Sequence, residues 1–507
     1  MRFAGAISIL ALGAGSTALG QSAGDRETRI DELQKQLDAI AAQLRELQGQ
    51  PSGSTSELGA RLDGAVRQSP SEALREPRRL NISAPGLEGL DITGYVRTRG
   101  EYWGNYDTGG GNGDSTAFGT EAALGFNARV SEKTSVYIEP QASFIWGDDT
   151  THGLGGPSGT AGGFTNSDDV QIVQALMRVS DMYGSGFDMG VGRQKIELGA
   201  ERMIGDDEWS LNRTTFDGFR FDRNLGDPGN LTFLAVRVED VVHATAIMVP
   251  TIPGQDGRGD LFGLYYSSNK NDSTGQVDVY VLHLEDPNYG SGVPSDETRW
   301  TTYGARWNSP SFGGLCFEVE AATQFGEFNG LRTGNHDWGF DVWAMHAGAS
   351  YKMPDNQLID GFCVAYDYAT GGSNSSVQHS FVQLYPSVHG WFGITDFFSW
   401  QNIEHWMVGA SFNVGEGDLM LGYHWNRMAA ADGGFFGYNQ GGGASTAGDD
   451  LGREIDLVYS VDCSKATAVD FGIGYFFPGD GYQSAIGGSG TGDDNVTFGY
   501  LQFRTRF

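Results

Sequence analysis

From about residue 90 to its end the chain repeats one pattern. Short segments alternate polar with apolar side chains, and the links between them are long and short in turn. Gly192 to Phe221 (GRQKIELGAERMIGDDEWSLNRTTFDGFRF) shows it clearly. At its start Arg193, Lys195 and Glu197 share one face and Ile196 and Leu198 the other. At its end Phe219 and Phe221 stand opposite Arg220. Successive side chains of a strand point to opposite faces, so such a sheet separates water from a second, apolar medium. Long links fall near 147–169, 198–213, 239–260, 285–299, 326–338, 370–403, 428–453 and 478–495. Short ones fall near 181–186, 224–230, 269–274, 309–314, 353–358, 414–417 and 463–466. The tally gives about eighteen strands, with long loops at one end and tight turns at the other, as outer-membrane barrels are built. A soluble sandwich has no reason to segregate loop lengths in this way.

The expected fold is therefore all-β, a transmembrane antiparallel β-barrel of about eighteen strands, preceded by a short N-terminal coiled-coil helix. Mean hydropathy is −0.33. No mature run of about 18 apolar residues exists, which excludes a helical membrane bundle. Glycine at 77 of 507 residues and aromatics at 12% suit loops and interfacial girdles. Pro140 interrupts a strand pattern and predicts a bulge there. The last strand, VTFGYLQFRTRF, sets Leu501, Phe503 and Phe507 against Gln502, Arg504 and Arg506.

The N-terminal part divides into three. Residues 1–20 read as a secretory signal peptide: Arg2, the apolar stretch Ala4 to Leu12, then the small-residue site Ala18-Leu19-Gly20. Residues 26–48 carry Ile30, Leu33, Leu37, Ile40, Leu44 and Leu47 at alternating spacings of three and four, an a/d seam. Two placements are open for this periplasmic helix. One is a coiled coil that ties several copies into a homo-oligomer. The other is an amphipathic helix lying on the barrel or frayed in solution. Residues 49–88, with Pro51, Gly53, Pro70, Pro77 and Pro85, read as a linker, and 90–507 as the barrel.

Asp and Glu number 64 against 33 Lys and Arg, for a net charge of −31. Such a chain repels nucleic acid. Cys316, Cys363 and Cys463 are an odd number and far apart, so at least one is unpaired, and no function attaches to them. The chain contains no G-x-S-x-G, H-E-x-x-H or G-x-x-x-x-G-K, and its nine histidines follow no metal-ligand spacing. The expectation is a protein that is not an enzyme and carries no cofactor or metal.

What remains is the lumen, where a channel selects by width and by rings of charge. Arg97, Arg99, Arg129, Arg178, Arg193, Lys195, Arg220, Arg306, Arg504 and Arg506 fall on polar strand faces, and Arg202 and Arg213 lie in the link between. Guanidinium groups grip carboxylates at two points. Arg97, Arg99, Arg129, Arg193, Lys195, Arg202, Arg213 and Arg220 are the candidate pore-lining, substrate-binding cations. The alternative is that arginines pair across the lumen with Glu101, Glu139, Glu197, Glu318, Glu320, Glu454 and Asp456 and fill it.

Three segments resemble the alginate-export family of outer-membrane channels. The first carries Gly192, Arg193, Gln194, Gly199, Arg202, Gly205, Trp209, Arg213, Thr215, Phe216, Asp217 and Gly218, with Thr214 as an insertion in the usual R-T-F. The second carries Tyr385, Pro386, His389, Gly393, Asp396 and Asn402; the third Gly452, Glu454, Asp456, Leu457, Gly472, Phe477, Pro478, Gly479 and Asp480. The resemblance implies an eighteen-stranded barrel in outer-membrane lipid that passes polar or anionic solutes, alginate among them. Alternatives are a general nutrient-uptake porin, a secreted β-rich carbohydrate-binding protein, and a structural tie from membrane to wall.

Overall fold

The computed structural model describes residues 78–80, 86–107, 112–146, 170–211, 213–239, 259–286, 298–328, 336–337, 342–353, 358–374, 377–387, 389–437, 441–486 and 494–507. The expected signal peptide (1–20) and coiled-coil helix (26–48) lie outside the described residues, as does most of the expected linker (49–88).

Among the described residues, eighteen long strands form one closed antiparallel sheet. They are β1 (Gly89–Asp107), β2 (Asn112–Ser131), β3 (Thr134–Trp146), β4 (Val170–Val179), β5 (Phe187–Gln194) and β6 (Thr215–Asn224). Next come β7 (Asn230–Glu239), β8 (Asp260–Ser267), β9 (Gln276–Asp286), β10 (Thr298–Asn308), β11 (Leu315–Phe328) and β12 (Val342–Lys352). The last are β13 (Ile359–Ala369), β14 (Ile403–Val414), β15 (Gly417–Arg427), β16 (Asp450–Ser464), β17 (Thr467–Pro478) and β18 (Val496–Arg506). Each pairs with the next in sequence, and β18 closes on β1 from Tyr95↔Arg506 to Gly104↔Thr497. Closure removes the free edges that a sheet in lipid could not leave unpaired. Arg78–Leu80, inside the expected linker, pairs with Leu90–Ile92. It occupies the stretch of β1 that lies beyond the end of β18. The register shifts between Glu139 and Pro140, where a bulge was expected.

The period of two divides each strand between lipid and lumen. On β14, His405 and Met407 are buried while Trp406 and Val408 are exposed; on β17, Asp470 is buried and Phe471 and Ile473 are exposed. Val408, Leu421, Ile473 and Leu501 belong to the outward apolar band. Trp343, Trp406 and Trp425 flank it toward the long connections, and Trp307, Tyr351 and Phe362 toward the short turns. These are the two interfacial girdles of an outer-membrane barrel.

One feature differs from the sequence expectation. β5 ends at Gln194, so Ile196 and Leu198 are not on the lipid face. The chain leaves the wall there and turns inward, and both side chains are buried inside the barrel. The inward turn gives them a second apolar surface to pack on, which lipid would otherwise supply.

Val408→Arg, at the middle of β14 on the lipid face, should cost roughly 2–4 kcal/mol of barrel stability. Urea unfolding in lipid vesicles measures it. A cost near zero would place Val408 away from lipid.

Candidate functional site

Two connections from the long-loop end fold into the barrel instead of away from it. One runs from 195 to 214, between β5 and β6; the other from 370 to 402, between β13 and β14. Ile196, Ile204, Leu211, Phe381, Leu384, Ile394 and Trp400 are at most 1% exposed. An inward segment must find partners for its backbone polar groups, and these two find them in each other. Ile204 and Tyr385 form a parallel bridge. Tyr385 N donates to the Met203 carbonyl (2.8 Å), Gly205 N to the Tyr385 carbonyl (2.7 Å), and Ser387 N to the Glu201 carbonyl (3.1 Å). Gln383 Nε2 donates to the Arg202 carbonyl (2.7 Å).

Arginines tie this pair of segments to the wall. Arg97 of β1 donates to the carbonyls of Glu208 (2.5 Å) and Ser210 (2.7 Å) and pairs with Glu121 of β2 (2.7 Å). Arg99 donates to the Trp209 carbonyl (2.8 Å) and to Glu101 (2.6 Å). Its guanidinium lies 3.6 Å from the centre of the Trp209 indole, which also meets the His389 ring, parallel at 3.4 Å, and the Tyr500 ring edge-on at 5.0 Å. Arg213 reaches back to Glu121 (3.2 Å) and across to Asp206 (2.9 Å). On the far wall Arg202 pairs with Glu318 and Glu320 of β11 and covers the face of Trp391 at 4.1 Å. Five donors in one plane let a single guanidinium satisfy a carboxylate and backbone carbonyls at once.

β16 holds the second segment from beneath. Glu454 accepts from Thr395 N (2.9 Å) and Thr395 Oγ1 (2.5 Å), and Asp456 from Ile394 N (3.1 Å). Gly393 has φ +116°, and a Cβ there would meet the Glu454 carboxylate at 2.4 Å, so only glycine lets the segment come this close. His389 Nδ1 lies 2.7 Å from Asp396 Oδ2, and Gly390 N donates to Asp396 Oδ1 (2.7 Å). Burial holds the His389 imidazole well below its ordinary value, aided by the Arg99 charge, and lifts the Asp396 carboxyl well above its own. Glu201, Asp207, Asp396 and Asn402 have positive φ. Such backbone persists only where the surroundings over-determine it; Asn402, for example, is clamped by both its amide donors and by Ala430 N.

The eight expected pore cations are thus distributed in two sets. Arg97, Arg99, Arg202 and Arg213 are buried straps. Arg129 (with Asp91), Arg193 (with Asp217, at two points), Lys195 (with Glu139) and Arg220 (with Asp222) have side chains 17–34% exposed. All eight have a carboxylate within 3.4 Å. Of the motif residues, Gly192, Gln194, Phe216 and Asp217 sit where the first segment leaves and rejoins the wall. A Cβ on Gly192 (φ +125°) would strike the Ala175 carbonyl at 2.2 Å. Gly199 lies against the Tyr265 hydroxyl, and Trp209, His389, Asp396, Glu454 and Asp456 form the contacts above.

Beside the first segment is a cavity of about 600 Å³, lined by Glu197, Arg220, Asp222, Thr232, Tyr265, Lys270, Gln276 and Arg306 among others. Arg306 is itself held by Asp278 (2.9 Å) and Glu318 (3.1 Å). Lys270 and Tyr265 were not foreseen: a turn lysine and one tyrosine among 20 carry no mark of a cavity. Nor were His346, His405 and His424, which line up across strands that only the barrel register brings together.

No curated protein matches the chain in sequence. Solved outer-membrane proteins share the fold at low identity. OpdK of Pseudomonas aeruginosa, crystallised with vanillate, is 13% identical with a TM-score of 0.51, over 82% of this chain and 98% of that one. OccK9 (OpdG) of Pseudomonas aeruginosa is 12% identical with a TM-score of 0.55, over 83% and 99%. OccAB4 of Acinetobacter baumannii is 13% identical with a TM-score of 0.53, over 82% and 98%. The alginate export profile matches residues 89–492, and with it come all three inward-meeting motif segments. The chain is a bacterial outer-membrane channel and belongs to the alginate export family.

Proposed function

We propose that the channel passes polar and anionic solutes of small-molecule size, along the part of the lumen that the two inward segments do not fill. The cavity beside residues 197–199 carries this reading. Its volume, about 600 Å³, falls in the range of roughly 300–1,000 Å³ of small-molecule sites. Its lining mixes hydroxyls and amides with Arg220, Lys270 and Arg306, groups that exchange water for the oxygens of a carboxylate or sugar at little cost. Two solved structures of this fold hold small acids: OpdK with vanillate and OccK2 (OpdF) with glucuronate. Transport is passive and involves no covalent chemistry. The part-exposed cations Arg129, Lys195 and Arg220 line the path, and the buried straps shape it.

An acidic polysaccharide such as alginate is the second reading, favoured by the family match. The N-terminal helix at 26–48 then stands in the periplasm and gathers copies into a homo-oligomer through its apolar seam. Cross-linking with and without residues 26–48 separates an oligomer from a monomer.

Glu197 sets a test of the cavity. Burial and the nearby Asp206, Glu201 and Glu208 push its carboxyl up to about 7. Below that pH it is neutral; above it a negative charge enters the cavity. Reversal potentials under a salt gradient should therefore move toward cation preference between pH 6 and 8, roughly one unit either side of the midpoint. Glu197→Gln should lose that movement, and an unchanged movement in the variant would place solute flow elsewhere.

Alanine at Arg220 or Lys270 should lower anion preference with the barrel intact. Arg97→Ala should act differently, because it leaves buried Glu121 to Arg213 alone and takes the donor from the Glu208 and Ser210 carbonyls, at a cost of about 1–3 kcal/mol. Selectivity recordings paired with urea unfolding distinguish the two. Equal stability of Arg97→Ala and the native chain would remove Arg97 from the set of straps.

A further inference from the structure

A buried chain of imidazoles and carboxylates crosses five adjacent strands on the lumen side. Asp367 of β13 accepts from Nδ1 of His346 on β12 (2.7 Å) and from Nδ1 of His405 on β14 (2.9 Å). His405 Nε2 lies 3.0 Å from Nδ1 of His424 on β15. His424 Nε2 lies 3.2 Å from Oδ2 of Asp456 on β16. All five side chains are at most 5% exposed. Asp456 and Glu454 are the two carboxyls that hold Ile394 and Thr395 of the second inward segment.

The spacing fixes where protons sit. Asp367 takes two N–H groups, so both of its histidines are protonated on Nδ1. A neutral His405 then offers Nε2 as an acceptor, and His424 donates Nδ1–H to it. That leaves His424 Nε2 facing a carboxylate oxygen, a contact that needs one proton, carried by either group. A further proton on His405 Nε2 would point N–H at N–H across 3.0 Å and set an imidazolium against the near-parallel His424 ring at a centroid distance of 5.2 Å. The second segment rests on these rings: Phe392 meets His405 edge-on at 5.1 Å, and Asn426 of β15 donates to the Phe392 carbonyl (3.2 Å).

We propose that this His346–Asp367–His405–His424–Asp456 chain is a proton-operated latch, closed near neutral pH, that frees the segment around 389–397 on acidification and so widens the lumen. Other charged groups face it from every neighbouring element. Glu318 and Glu320 of β11 stand beyond His346 and are already bound by Arg202. On the segment itself His389 and Asp396 satisfy each other. From β17 the residues opposite Glu454 and Asp456 are Phe476 and Gly474, neither of them titratable. At the Asp456 end, Glu454 stands beside it on β16 and is already bound by Thr395 N and Oγ1. The latch presupposes that the protein conducts.

The test is single-channel conductance of the full chain in a planar bilayer, with Glu197→Gln carried throughout so that the cavity does not titrate. The expected result is a reversible rise in conductance as pH falls from about 7.5 to 4, a window wide enough for buried imidazoles to change charge. That rise should be lost in His405→Gln and in His424→Gln. Heat-modifiable electrophoretic mobility verifies that each barrel is folded. Hydrogen exchange of the 389–397 amides gives a second readout on the unsubstituted histidines, and it should accelerate over the same window. A flat conductance, an unchanged response in both glutamine variants, or amides equally protected at both pH values would each overturn the latch. No current at any pH would instead overturn the channel reading on which it stands.

Discussion

The structure depends on buried charges that meet one another and the backbone of two inward connections. An eighteen-stranded barrel encloses more space than its own wall side chains fill, so its lumen holds either water or polypeptide. Here two connections enter it, and burying their backbones is tolerable only because every approach meets a donor or an acceptor. Arg97 and Arg99 take the carbonyls of Glu208, Trp209 and Ser210, while Glu454 and Asp456 take the amides of Ile394 and Thr395. The guanidinium charges are neutralised: Arg97 on the wall by Glu121, and Arg202 on the first segment by Glu318 and Glu320 of the wall. A buried pair of this kind contributes little net stability by comparison with apolar packing, yet losing one partner is costly. Its effect is to fix position, so the two segments are held in one arrangement.

This arrangement accounts for how the family's three motif segments relate. They lie far apart in sequence and meet inside the barrel. The first supplies Trp209 and Arg213, the second His389 and Asp396, and the third the carboxylates beneath them. The glycines fit the same logic. Gly192 and Gly393 occur where a wall strand or a buried carboxylate comes too near for a Cβ. The motif thus describes an internal scaffold that narrows a wide barrel, and the solute meets what the scaffold leaves uncovered.

The barrel was legible because its signal is local. Phe503 and Arg504, or Phe471 beside Asp470, declare opposite faces with no knowledge of any partner. Loop length alternates in register with them, so strand number and orientation follow. The lumen was less legible for a physical reason. An amphipathic extended segment such as Lys195 to Leu198 reads the same whether its apolar side meets lipid or another segment, so Ile196 and Leu198 looked like wall. The partners of Arg97 lie 111 and 113 residues away, and periodicity carries no information at that range. His405 shows the limit most plainly. In the sequence it stands beside Trp406 with no sign of a role, and its contacts to Asp367 and His424 exist only through the pairing of β13, β14 and β15. The arginines could have been an open ladder or closed pairs, and the sequence held both sets of charges without saying which met which.

The central claim is that the two inward segments, strapped to the wall, set the width of the path. Polymer exclusion tests it on the unaltered protein: single-channel conductance is recorded with neutral polymers of graded size added to both sides. The account predicts that only the smallest polymers enter and depress the current, because the free lumen beside residues 197–199 is of small-molecule dimensions. Entry of polymers as wide as the barrel itself would contradict it and would mean that the segments do not occupy the lumen of the conducting channel.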